Sequence, residues 1–294
     1  MHGESEAPES GIWEKWMSSE SQTHPGRFLL RSRQRAFLID IDGVLYVGEN
    51  GIQGSHEAIK FLEEQGYPFR LVSNTTRLSR ASVARKLSAM GFAVPESKIF
   101  TPAVAAADYL SRSHHHTAYL LTTDEVAAEI SESGHVRHDP ESAQSVVIGD
   151  AADNFTYTAL NTAFRLLLGG AELIALERDR YWKGADGMML SAGPFVVALE
   201  FAARKEARIM GKPSPAFFRQ ALLSLGAEAG QAVMIGDDIE TDIGGAISCG
   251  MTGILVRTGK FRKETLDHAL QRPSVILDSI ADLPGYLESL PGQL

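Results

Sequence analysis

Residues Arg35–Gly43 read RAFLIDIDG, an apolar run of strand length that closes on two carboxylates and a glycine. Along a strand successive side chains alternate faces, so Asp40 and Asp42 point the same way while Ile41 turns into the sheet. Two carboxylates at the carboxyl edge of a buried strand repel, and both stay charged only with a cation or a shared proton nearby. Gly43 lets the chain turn sharply straight afterwards.

Outward from this strand the chain alternates between two periods. Ser55–Gly66 (SHEAIKFLEEQG) has a Ser N-cap, apolar Ile59 and Leu62 and a Gly stop, the pattern of a helix. Phe69–Val72 is a second strand, and Ser79–Gly91 a second helix with Val83, Leu87 and Met90 on one stripe. Beyond the middle of the chain the alternation resumes. Arg208–Met210 reads as a strand, Ser214–Gly226 as a helix with Pro215 at its first position, and Ala232–Ile235 as a strand. Glu240–Gly250 then reads as a helix, Gly253–Val256 and Val275–Leu277 as strands, and a helix closes the chain. Strands alternating with helices predict an α/β fold, a doubly wound, mostly parallel, Rossmann-like sheet covered on both faces.

The middle of the chain has its own α/β pattern. Strands are expected at Ala118–Leu121, Val146–Ile148 and Leu173–Leu176, and helices at Thr156–Leu168 and Pro194–Ala203. The expected organisation is a core made of 27–103 and 206–294, interrupted by an inserted α/β cap domain at 104–205. Val147-Ile148-Gly149-Asp150 ends on a carboxylate, but no second acid follows at useful spacing, so it reads as a strand-terminal turn. Residues 1–26 are polar and rich in turn formers, with no apolar run, and read as a disordered extension without a secretory signal. The run His114–His116 reads as a solvated loop, since adjacent residues cannot all face one ion.

Composition narrows the function. The 294 residues carry 28 Lys and Arg against 37 Asp and Glu, a formal net charge of −9. Such a chain lacks the cationic face that a phosphate backbone or an anionic membrane surface requires, so neither nucleic acid nor membrane is an expected partner. No apolar stretch reaches the roughly 18 residues of a membrane span. One cysteine, Cys249, excludes an internal disulfide and points to a reducing, cytoplasmic setting.

Three further polar clusters follow predicted strands. They are Ser73-Asn74-Thr75, Gly211-Lys212-Pro213-Ser214-Pro215, and Gly236-Asp237-Asp238 with Thr241-Asp242. Ligands of open parallel sheets bind outside the carboxyl ends of the strands, so the four clusters converge on one crevice. The chemistry they fit is phosphoryl transfer. Acids hold a hard divalent cation through oxygen, and Mg2+, which keeps several waters, fits best. A Ser/Asn pair and a Lys bind phosphoryl oxygens, and one carboxylate attacks phosphorus.

In order and residue type, DIDGVL, SN, GKPSP and GDDIETD resemble the four motifs of the haloacid dehalogenase-like phosphatases. The resemblance covers about 35–290, and the length of the insertion is similar to the large α/β cap of the branch containing N-acetylglucosamine-phosphate and 4-nitrophenyl-phosphate phosphatases. Arg180-Tyr181-Trp182-Lys183, Gly187–Leu190 and Val256–Phe261 further resemble the phospholysine phosphohistidine inorganic pyrophosphate phosphatase group. This resemblance implies Asp40 as the nucleophile and Asp42 as the acid, then base. Mg2+ would be held by Asp40, the Asp42 carbonyl and Asp237. Asp238 and Asp242 would orient water or Lys212 from behind, Ser73 and Asn74 would bind the phosphoryl group, and Lys212 would bridge it to the nucleophile. Members of that last group tend to carry Ser at the second acid position. The Asp42 kept here widens the expected substrates from phosphoramidates and pyrophosphate towards ordinary small phosphate monoesters, with a small phosphorylated metabolite as partner.

Arg178, Arg180, Tyr181, Trp182 and Lys183 form a basic-aromatic run that can close over the site, or equally a solvated turn packed on the cap. Homodimerisation through the cap is implied by resemblance alone. A dehalogenase has no use for Asp42 or Asp237, and a response-regulator receiver lacks the insertion and the late acids. A silent phospho-ligand binding or scaffold protein on the same fold is the remaining alternative.

Overall fold

The computed structural model describes residues 35–184 and 187–290; the extension expected at 1–26 lies outside the described residues. The opening run forms β1 (Ala36–Asp40), buried along its whole length. A short hairpin, β2 (Tyr46–Val47) and β3 (Asn50–Gly51), follows the turn at Gly43. Then come α1 (Ser55–Glu64), β4 (Phe69–Val72), α2 (Arg80–Ala89) and β5 (Ile99–Phe100). Gly54, in the left-handed region, takes the cap position of α1 expected for Ser55. The Ser55 hydroxyl instead donates to the Ile52 carbonyl at 2.6 Å.

The chain next builds α3 (Pro102–Arg112), β6 (Thr117–Leu121), α4 (Asp124–Gly134), β7 (Arg137–His138), β8 (Ser145–Ile148), α5 (Tyr157–Leu168) and β9 (Glu172–Ala175). A hairpin of β10 (Tyr181–Gly184) and β11 (Gly187–Leu190) precedes α6 (Gly193–Ala203) and β12 (Arg208–Ile209). It returns through α7 (Pro215–Leu225), β13 (Ala232–Gly236), α8 (Gly245–Ser248), β14 (Thr252–Val256), α9 (Lys263–His268), β15 (Val275–Leu277) and α10 (Leu283–Glu288).

Six parallel strands in the order β15-β14-β13-β1-β4-β5 make the first sheet. β1 is central, with Ile39 beside Ile235 and Asp40 beside Val72, so the segments leaving β1, β4 and β13 emerge side by side at one edge. That order produces the crevice the sequence anticipates. The second sheet is also parallel, in the order β12-β9-β8-β6-β7.

Two features differ from the sequence reading. The strand before Gly211 belongs to the second sheet: Arg208 pairs with Ile174, Ile209 with Ala175, and Met210 N–H donates to the Ala175 carbonyl at 2.8 Å. A two-residue strand carries no periodicity that says which sheet it joins. The second sheet therefore runs past residue 205. One apolar cluster also joins the two sheets, holding Leu38 and Val72 of the first together with Leu120, Val147 and Ile174 of the second, bridged by Ala103, Ala106 and Leu110 of α3. The sequence reading passes over α3, although Thr101 at the N-cap and Pro102 at the first helical position mark its start.

The helix expected at Glu240–Gly250 is a six-residue π turn, Ile239–Gly244, followed by α8. Both Asp242 N–H and Ile243 N–H donate to the Asp238 carbonyl, at 3.1 and 3.2 Å. Such bulges recur where a side chain must be re-aimed, and here the side chain is that of Asp242. Gly236 makes room for it, since a Cβ there would overlap the Asp242 carboxylate.

Candidate active site

Each expected cluster reaches the crevice, which measures about 1050 Å³ and is lined by both sheets' connections. Asp40 is buried at the end of β1, and Asp42 stands exposed at the mouth. Lys212, almost wholly buried, donates to Asp40 Oδ1 at 2.5 Å and Asp242 Oδ1 at 2.6 Å. Burial alone would lower the pKa of this ammonium, but Asp242 and Asp40 outweigh it and hold Lys212 firmly charged.

Burial dominates the carboxylates. It pushes Asp40 up to about 6, against the pull of Lys212, and Asp242 up to about 7, again against Lys212. Asp237, barely exposed, is pushed up to about 6 by burial, and the Lys260 N–H that donates to its Oδ2 at 2.6 Å opposes this. Asp40, Asp237 and Asp242 bring one oxygen each within 4.8 Å of one another. Lys212 pairs directly with Asp40 and Asp242, whereas Asp237 has no direct ion pair with an ammonium among the described residues and is reached by Lys260 and Lys212 only at longer range. An oxygen-ligated divalent cation fits there. Gly43 and Gly259, both at positive φ, close around it: a Cβ on either would overlap Asp237 Oδ2. Thr258 Oγ1 ties the two glycine loops by donating to Gly43 O at 2.5 Å.

Two assigned residues make contacts that the sequence does not reveal. Asn74 brackets the Lys212 peptide: Nδ2 donates to Lys212 O at 3.0 Å, and Oδ1 accepts from Lys212 N–H at 2.7 Å. One amide hydrogen and the oxygen of Asn74 thus hold the lysine backbone, while Asn74 itself lines the crevice. Asp238 caps the π turn, its Oδ1 accepting from Glu240 and Thr241 N–H at 3.0 Å each. The support of Lys212 is left to Asp242, whose Oδ2 accepts from Asp238 N–H at 3.2 Å. Buried Ser73, whose Oγ accepts from Thr75 N–H at 3.2 Å, lines the crevice as expected.

The basic-aromatic run divides. Arg180, Tyr181 and Trp182 line the crevice, and the Arg77 guanidinium lies 5.2 Å from the Trp182 ring. Arg178 instead pairs with Glu200 of α6 at 2.6 Å. Lys183 sits in β10 opposite Met188, and its side chain lies outside the described residues.

Sequence reasoning missed Glu177 and Asp179. Glu177 is buried at the base of the β10–β11 hairpin, where Oε1 accepts from Ser191 Oγ at 2.6 Å and Ala192 N–H at 2.7 Å, and Oε2 accepts from Asp179 N–H. Asp179 faces Lys260, Asp238 and Lys212 across the crevice; burial raises its pKa, and Lys260 opposes this. The signal was present: Glu177 and Asp179, two apart just beyond β9, repeat the acid pair beyond β1.

Comparison with known proteins agrees with this geometry. Residues 37–136 match a family model described as haloacid dehalogenase-like hydrolase, and 209–283 a second, HAD-hydrolase-like model. Haloacid dehalogenase-like hydrolase domain-containing protein 2 of Homo sapiens is 42% identical over 78% of this chain and 86% of its own. The human phospholysine phosphohistidine inorganic pyrophosphate phosphatase is 40% identical, over 84% and 92%. Among solved structures, NagD from E. coli K-12 superposes with a TM-score of 0.79 at 26% identity, covering 85% of this chain and 98% of its own. The 4-nitrophenylphosphatase from Thermotoga maritima gives 0.79 at 28%, covering 87% and 97%. With four acid, amide and lysine clusters in one crevice and likeness along most of its length, the chain belongs to the haloacid dehalogenase-like hydrolases, in their α/β-capped phosphatase branch.

Proposed function

We propose that this protein is a Mg2+-dependent phosphohydrolase that works through a phosphorylated Asp40 on small phosphate monoesters, with pyrophosphate and phosphoramidates as further substrates. The observation that carries this reading is the Asp40–Lys212–Asp242 chain. The ammonium holds Asp40 by one oxygen, which leaves Oδ2 to attack phosphorus, and it offsets the charge of the phosphoryl oxygens. Ser73 Oγ donates to the same group from the end of β4. Asp42, exposed at the mouth, gives its proton to the departing oxygen. The deprotonated Asp42 then takes a proton from the water that attacks the phosphorus on Asp40, which releases phosphate, frees the Asp40 carboxylate and returns Asp42 to its protonated form. Asp40, the Asp42 carbonyl and Asp237 would hold Mg2+, which would supply charge neutralisation for the phosphoryl oxygens.

The test is phosphate release from 4-nitrophenyl phosphate in Mg2+. EDTA and Asp40→Asn should each abolish it, and turnover surviving Asp40→Asn overturns the assignment. A folded protein that turns over no ester, pyrophosphate or phosphoramidate returns the reading to a silent phospho-ligand binder.

A second copy of the chain is the partner inferred for the hairpin. Tyr181 and Leu190, paired across it, and Met188 are each more than half exposed, and so is Phe201 on α6. Apolar side chains gathered in this way mark an association surface.

A further inference from the structure

The loop after β14 is tied down twice, by Thr258 to Gly43 O and by Lys260 N–H to Asp237 Oδ2, so the backbone of Lys260 is fixed at the edge of the acid cluster. Its side chain opens into the crevice. Unlike Lys212, which has two carboxylates in direct contact, the Lys260 ammonium makes no hydrogen bond or ion pair among the described residues. It faces Asp238 on the core side and Asp179 on the second-sheet side.

That placement bears on what may leave. Asp238, Asp179 and Lys260 all line the crevice into which a leaving group on Asp40's side would extend. Two carboxylates repel any anionic substituent there. Lys260 is an uncommitted cation in the same place. We propose that Lys260 is a specificity-determining residue, which lets the site accept leaving groups that carry an anionic substituent of their own. This inference rests on the phosphohydrolase reading above and names its substrate class: phosphate esters whose alcohol or phenol bears a carboxylate or a second phosphate.

A matched pair of probes tests it, phenyl phosphate and 4-carboxyphenyl phosphate, with Mg2+. In the unaltered protein the ratio of kcat/KM favours the carboxylated ester. Lys260→Met should lower that ratio about threefold, the effect of one solvent-exposed charge contact. Lys260→Arg should recover most of it, and Asp179→Asn should move it the opposite way. The melting temperature of Lys260→Met should stay within about 2 °C of the parent, because the bond to Asp237 comes from the backbone. Equal losses on both esters, or an unchanged ratio, would overturn the proposal and leave Lys260 a mere counter-charge. No turnover of either ester by the unaltered protein would instead sink the phosphohydrolase reading, and this inference with it.

Discussion

The side-chain amide of Asn74 brackets the peptide of Lys212, donating to its carbonyl and accepting from its N–H across 138 residues of sequence. A segment leaving the first sheet thereby fixes a lysine that arrives from the second. Gly211 allows the approach, because a Cβ there would lie 2.7 Å from Asn74 Oδ1.

Asn74→Ala should therefore act through Lys212. Loss of both bonds frees the lysine to drift from Asp40, and kcat should fall about 10²-fold, the scale for a misplaced charge-stabilising donor. The loss should not multiply with that of Lys212→Met, since the second change removes what the first displaces. Steady-state kinetics of both single variants and the double variant decide this; multiplicative losses would mean that Asn74 acts on the phosphoryl group itself.

Metal and pH should be linked. Burial pushes Asp40 and Asp237 up to about 6 and Asp242 up to about 7, from an ordinary value of 3.8. Between pH 4 and 7 the folded, metal-free protein then binds more protons than the unfolded chain. This contribution to stability is full below pH 4 and is lost as pH rises through 6 to 7. Lys212 stays protonated in both states across this window and contributes no slope. Thermal scans in EDTA should show the melting temperature falling from pH 5 to 7.5. Mg2+ should restore more at 7.5, where it replaces no protons, than at 5. An equal Mg2+ effect at both values would remove the acid cluster as its site.

Glu177 should control the hairpin over the crevice. Glu177→Ala leaves Ser191 Oγ and the N–H groups of Ala192 and Asp179 without their acceptor, at a cost of about 3 kcal/mol. Glu177→Gln keeps an acceptor oxygen and should cost about 1 kcal/mol. Trypsin cleavage at the exposed Arg178 and Arg180 should accelerate in the order parent, Gln, Ala. Parent-like cleavage of Glu177→Ala would show that the hairpin is held by other contacts.

Association through the hairpin has a direct readout. The parent should elute with the mass of two chains in light scattering, and Leu190→Asp with the mass of one. A single-chain mass for the parent would refute the inferred partner.

The sequence made the chemistry more legible than the wiring. Asp40, Lys212 and Asp237 stood out because buried strands rarely end in charge, and that anomaly is visible one residue at a time. Asn74 and Asp238 are also in the right place, yet their partners depend on long-range backbone positions that no local pattern encodes. The same holds for Arg208–Ile209, whose sheet is decided by a partner strand more than thirty residues earlier. Glu177 and Asp179 could have been read by the rule applied to β1, had the second sheet been expected to contribute acids.

The edge strand β12 ends at Ile209, and Lys212 follows within three residues. The ammonium that neutralises Asp40 is thus mounted on the frame that also carries Asp179, Arg180 and Trp182 to the mouth of the crevice. Any shift of that frame would bear on the lysine and its contact with Asp40, and the Asn74 clamp is what resists it. Selectivity and reactivity in this protein share a single mechanical mount.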